Sequence, residues 1–114
     1  MALLRNATTG EVIAANVRAA NSWWDRFAGF IPQRVVEPDD GLWFDRCWAI
    51  HTLGMRAQID VIFLDAHDCV MRTACAVPQH RLAVVCPGAR SVVELGTGAL
   101  DGRDVLAGDR LFLE

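Results

Sequence analysis

Lysine does not occur in this chain. Its 114 residues carry eleven basic side chains, all arginine, against fourteen acidic ones, for a net charge of -3. The arginines stand singly and never form a basic run. Binding to a phosphate backbone needs positive charge concentrated on one surface, so no nucleic-acid partner is expected. A basic amphipathic helix lying on a membrane is unsupported for the same reason. No apolar stretch approaches the roughly 20 residues of a membrane span. Met1 to Gly10 has one arginine and a short apolar start but no h-region of a signal peptide, so the expectation is a cytoplasmic protein.

Several catalytic and cofactor signatures are missing as well. No Cys-x-x-Cys occurs, which disfavours a zinc ribbon or a thioredoxin-like site. His51, His67 and His80 are far apart and form no His-x-His or His-Glu-x-x-His pattern. Asp65, His67 and Asp68 share one turn, where a solvated turn is the plainer reading than a loose metal site. Gly96-Thr97-Gly98 is followed by neither a P-loop lysine nor a third glycine at dinucleotide-binding spacing. No Gly-x-Ser-x-Gly elbow is present to activate Ser91 or Thr52. No metal and no cofactor is expected.

What the chain has in quantity is apolar residues, 53% of the total, with 22% charged. That excludes a disordered chain. Its length suits one domain with a sizeable core, because two would each be too small. With no export signal read, Cys47, Cys69, Cys75 and Cys86 are expected to be reduced, small hydrophobic residues.

Alternation and turn chemistry divide the chain into short strands. Leu3 to Arg5 and Val12 to Val17 form an expected hairpin across Thr8-Thr9-Gly10. Asn21-Ser22 reads as a helix N-cap, with Asp25 in the first turn and Trp23, Phe27 and Phe30 on one face; Pro32 ends the helix near Gly29 or Phe30. Glu37 to Gly41 is a polar turn before a short strand, Leu42-Trp43-Phe44. Cys47 to Thr52 is a further strand, closed by a loop at Gly54.

Ile59 to Leu64 is the most strand-like run, apolar on both faces save for Asp60, and suits a central strand covered on both sides. A buried carboxylate there needs hydrogen bonds or a positive partner. Asp65 to Asp68 is a hairpin turn, and Cys69 to Val77 returns as a strand. Ser91 to Leu95 and Arg110 to Leu113 are the remaining strands, and Gly96 to Asp104 holds glycines and one helical turn. The expected fold is α+β: a β-rich, barrel-like domain of short, mostly antiparallel strands with one helix in the N-terminal half.

His51, Thr52, Met55, Arg56 and Asp60 are the densest group of chemically capable side chains, just ahead of and within the central strand. They form the candidate ligand-binding site. Arg56 has two readings, a structural pair with Asp60 or a holder of an anionic ligand beside His51. Imidazole titrates near neutrality in general, so His51 is read either as a general base or as a histidine satisfied by backbone. The leading expectation is a non-enzymatic domain that binds a small polar or anionic ligand or a protein partner. The alternatives are a small hydrolase or transferase, with His51 as base and Arg56 holding an anion, and an assembly module that uses exposed aromatic residues.

Trp48-Ala49-Ile50-His51-Thr52-Leu53-Gly54-Met55-Arg56, followed by Ile59-Asp60-Val61-Ile62-Phe63-Leu64-Asp65, closely resembles the central motif of the bacterial and archaeal family called domain of unknown function 192. Arg26-Phe27-Ala28-Gly29-Phe30 and Gly41-Leu42-Trp43-Phe44 are similar to flanking segments of that family. So are Val92 to Gly98 and Gly108-Asp109-Arg110 near the other end. Many members have Met-Lys-Asn-Thr where Ala49-Ile50-His51-Thr52 stands here. The resemblance spans about Trp24 to Leu113 and implies a compact β-rich α+β domain. It implies no activity, cofactor or catalytic residue.

Overall fold

A computed structural model describes residues 2–20, 37–55 and 57–114. The expected helix from Asn21 to Phe30 lies outside them. Among the described residues there are nine strands and no helix. In chain order the strands are β1 (Ala2–Asn6), β2 (Val12–Ala19), β3 (Asp40–Asp45), β4 (Ala49–Ile50), β5 (Ile59–Leu64), β6 (Val70–Val77), β7 (Val84–Val85), β8 (Ser91–Gly96) and β9 (Leu111–Leu113).

Seven strands make one sheet in the order β6-β5-β8-β3-β2-β1-β9, and β4 and β7 make a separate two-stranded sheet. Neighbouring strands run antiparallel, except β2 and β3, which are parallel with Val17 opposite Gly41. The expected α+β barrel is therefore corrected. The described fold is all-β, and its large sheet is not closed. Its edge strands, β6 and β9, approach at one isolated bridge between Cys69 and Arg110 and share no ladder. Closure depends on how two edges meet, which the pattern of any one strand does not encode.

The alternation of β5 decides where the core sits. Ile59, Val61 and Phe63 pack with Leu42, Phe44, Met55, Val77 and Val92 in one cluster. Ile62 and Leu64 pack on the other face with Leu4, Val17, Trp43, Val93 and Leu95. Every residue of β5 and β8 is buried, as expected for a run with no solvent face. The sheet is tight enough that Gly41 tolerates no side chain. A Cβ there would meet Leu95 Cδ2 at 2.7 Å and Val17 Cγ2 at 2.9 Å.

Most of the remaining strands follow the sequence pattern, but the strand expected from Cys47 to Thr52 shortens to β4, and β7 was not expected. β1 and β2 form the N-terminal hairpin. Asp65 to Asp68 turns β5 back into β6: the Asp68 N–H donates to the Asp65 carbonyl, and Asp68 adopts a φ of 62°. The helical turn expected within Gly96 to Asp104 is instead a chain of tight turns, with N–H to O bonds from Ala99 to Gly96 and from Asp101 to Gly98. None of the four cysteines is in a disulfide; Cys86 is buried and Cys75 exposed.

Candidate functional site

Asp60 enters β5 on the face of Ile62 and Leu64, and is 1% exposed. Its carboxylate is satisfied by main chain. Oδ1 accepts the Ala76 N–H at 2.8 Å, and Oδ2 accepts the Leu100 N–H at 3.0 Å. The first of these bonds has a local cause. Between Ile59↔Val77 and Val61↔Ala74 the pairing gains one residue on β6, and this bulge turns Ala76 to a φ of 50°. Asp60 thus ties an irregular stretch of β6 to the glycine-rich turns after β8.

Thr52 is fully buried and plays a similar part in the loops. Its hydroxyl donates to the Pro78 carbonyl at 2.8 Å and accepts the Arg81 N–H at 2.8 Å. Its own N–H donates to the Arg81 carbonyl, and its carbonyl accepts the N–H of His80 and of Met55. Met55 is buried in the first core cluster, on the opposite face of the sheet from the Asp60 side chain. His51 is half-buried. The structure therefore brings Thr52 and Met55 into one turn and puts Asp60 on another face. Arg56, with both of its readings, lies outside the described residues.

Around the β4–β7 sheet, apolar side chains face solvent. Leu82 is 81% exposed and Trp48 54% exposed, with Leu53 and Val85 also exposed.

A cavity of about 200 Å³ opens elsewhere, at the end of the large sheet where β3 and β5 finish and β8 begins. Asp45, Arg46, Asp65, Ala66, Asp68, Arg90 and Ser91 line it. Asp45 Oδ1 accepts bonds from Trp43 Nε1 at 2.9 Å and Ser91 Oγ at 3.1 Å. Asp65 Oδ1 caps its own turn by accepting the N–H of His67 and of Cys69, and these bonds hold its carboxyl below the ordinary range. Asp68 is raised instead, first by partial burial and then by the neighbouring Asp45 charge, with Arg110 opposing. No hydrogen bond engages the Asp68 carboxylate or the Arg90 guanidinium among the described residues. Those residues hold no cluster of three or more histidine, cysteine, aspartate or glutamate side chains able to bind a metal.

Glu94, in the middle of β8, is 4% exposed and lies opposite Leu42 and Val61. Its Oε2 has no hydrogen-bond partner, and burial pushes its pKa up to about 8.

A model of the family DUF192, described as uncharacterised ACR, matches residues 4–113. The chain belongs to the DUF192 family. No curated protein matches it. Two solved structures are similar to this DUF192 chain. One, from Sinorhizobium meliloti and solved as a candidate transcription regulator, is 22% identical with a TM-score of 0.81, covering 98% of this chain and 91% of its own. The other, a protein of unknown function from Novosphingobium aromaticivorans, is 17% identical with a TM-score of 0.83, covering 98% of this chain and 84% of its own. At such identities the likeness establishes the fold alone.

Much of the DUF192 motif does architectural work in this chain. Gly41 to Phe44 is the inner strand β3, and Asp60 is held by the bulge and the turns. Asp109, in the Gly-Asp-Arg segment, accepts hydrogen bonds from Asn6 Nδ2 at 2.9 Å and from the Leu106 N–H at 3.0 Å. Asn6, Glu94, Asp45 and Arg90 were not singled out by sequence reasoning, and Asp65, Asp68 and Ser91 were weighed for other chemistry and not as members of one cavity. Asn6 follows the strand-like Leu3 to Arg5, and Glu94 interrupts an apolar strand much as Asp60 does; either signal was available. The cavity carries no such signal, because three separate segments build it. No helix among the described residues is long and apolar enough to cross a membrane.

Proposed function

We propose that this DUF192 domain is a non-catalytic module that binds a small polar ligand in the cavity bounded by Asp45, Asp68 and Arg90. One observation carries the reading: a concave site holds charged groups of both signs, and two of them, Asp68 and Arg90, have no hydrogen-bond partner among the described residues. Its volume, about 200 Å³, suits a small ligand. Catalysis gains less support. The Thr52 hydroxyl donates its hydrogen bond to the Pro78 carbonyl, which is no base. A nucleophile needs that proton to pass to a base. The regulator description of the Sinorhizobium protein also transfers poorly as DNA binding, because this chain has no lysine and a net charge of -3.

The test is a screen of small polar compounds by amide chemical shift, run on the wild-type chain and on Ala66→Phe. Ala66 is an exposed lining residue, so the larger side chain fills the cavity rather than the core. The reading expects shifts centred on residues 45–46, 65–68 and 90–91 that vanish in Ala66→Phe. Shifts that fall elsewhere, or none, overturn it.

The exposed Trp48 and Leu82 favour a second reading, a protein partner docked on the β4–β7 sheet, since aromatic anchors dominate such contacts. Comparative affinity capture with wild type and with the Trp48→Ser, Leu82→Asp double variant tests it. A partner lost only from the folded variant supports docking, and identical captures refute it.

A further inference from the structure

Resting on that cavity reading, we propose that the ligand is a small zwitterion, a molecule that carries an ammonium group and a carboxylate together. Two of the groups at the cavity have unmet needs of opposite sign. The Asp68 carboxylate is half-buried, accepts no hydrogen bond among the described residues and feels the like charges of Asp45 and Asp65, which Arg110 offsets in part. A bound cation relieves that repulsion, because an opposite charge within a few ångströms favours the ionised carboxylate. The Arg90 guanidinium is exposed on the rim and engages no acid among the described residues. It offers the planar two-pronged donor set that matches a carboxylate.

The backbone fixes where both groups stand. The Arg90 N–H donates to the Leu64 carbonyl at 2.8 Å, and its carbonyl accepts the Cys47 N–H at 3.0 Å, so its main chain is tied to two neighbouring segments. Asp68 is held by its turn bond to Asp65, and its carbonyl accepts the Leu111 N–H at 3.0 Å. A simple amine answers Asp68 and leaves Arg90 unused. A simple carboxylate does the reverse and also meets three aspartates. A ligand with both charges satisfies both ends and adds no net charge to the site. A volume of about 200 Å³ suits a molecule of amino-acid size.

Isothermal titration calorimetry with glycine, β-alanine, γ-aminobutyrate, ethylamine and acetate separates these cases. The zwitterion class predicts that at least one of the first three binds about tenfold or more tightly than ethylamine or acetate, the scale of one charge-assisted bond. Asp68→Asn and Arg90→Gln each weaken that binding by a similar factor. Asparagine tolerates the left-handed backbone of position 68, so the turn is kept. As a second readout, binding of the zwitterion moves the ¹³C titration of the Asp68 carboxyl to lower pH. If ethylamine or acetate binds as well as any zwitterion, and through residues 68 or 90, the zwitterion inference fails while the cavity reading stands. If none of the five compounds binds, the inference fails, and the wider screen with Ala66→Phe decides the cavity separately.

Discussion

Two carboxylic acids are buried side by side in the large sheet and are treated in opposite ways. Asp60 on β5 and Glu94 on β8 occupy neighbouring rungs of one ladder, Asp60 opposite Leu95 and Val61 opposite Glu94, so they face opposite cores. Asp60 has a backbone N–H on each oxygen. Glu94 has one oxygen with no partner and leans on Leu42 and Val61. Burial is nearly equal, 1% and 4% exposed. What separates them is the supply of donors: a bulge and a run of turns deliver amides to one face, while regular strands, which use their amides on each other, deliver none to the other.

The contrast is tested most severely by pH. Glu94 has a folded pKa of about 8 against an ordinary 4.5. Between those values the unfolded chain releases the proton and the folded chain keeps it. Stability from this group is therefore full below pH 4.5, falls as pH rises to 8 and levels off above. The span corresponds to about 5 kcal/mol at 1.36 kcal/mol per unit, comparable to the whole margin of a small domain. Urea melts across that range should show the decline, and Glu94→Gln should flatten it. A wild-type curve that stays level from pH 5 to 8 would remove the distinction between the two acids.

Next in size is Asp60→Ala, which removes the acceptor of one buried amide, at Leu100, and of one part-buried amide, at Ala76. A loss of about 2–5 kcal/mol in the same melts is expected, with Asp60→Asn losing less because one acceptor oxygen remains. A loss below that of an ordinary surface change would mean that the amides find other partners and that the donors are incidental. Thr52→Val should cost about 1–3 kcal/mol, because it removes one donor and one acceptor that hold the 78–81 loop. Hydrogen exchange should quicken at Arg81 in that variant. The smallest effect belongs to the half-buried Asp68. Asp68→Asn should shift stability by no more than about 0.5 kcal/mol. A larger loss would assign Asp68 to the scaffold rather than to a ligand.

Strand positions were legible because alternation and turn residues are local signals. Ile59 to Leu64 shows its two buried faces in six letters, and Asp65 to Asp68 shows its turn. The need of Asp60 for partners was legible too, from one acid in an apolar run. Its donors were not. Ala76 sits in a bulge that no glycine marks, and Leu100 approaches from 40 positions away. The barrel expectation failed on a relation between β6 and β9 that neither strand carries in its own pattern. The grouping of His51, Thr52, Met55, Arg56 and Asp60 rested on nearness along the chain, and the pleat of β5 sends Asp60 away from Met55. The cavity was hidden for the complementary reason, since residues 45, 68 and 90 meet only after three strands are in place.

The outermost pairing of the large sheet has a kinetic meaning. Leu4 lies opposite Leu113, and Arg5 bonds Glu114 across 109 positions, so β1 cannot gain its outer neighbour until nearly all the intervening polypeptide has been synthesised. Such distant closure slows folding. Until it occurs, the outer edge of β1 stays open on the nascent chain, and a crowded ribosome is the setting in which this domain is most prone to stick to its neighbours.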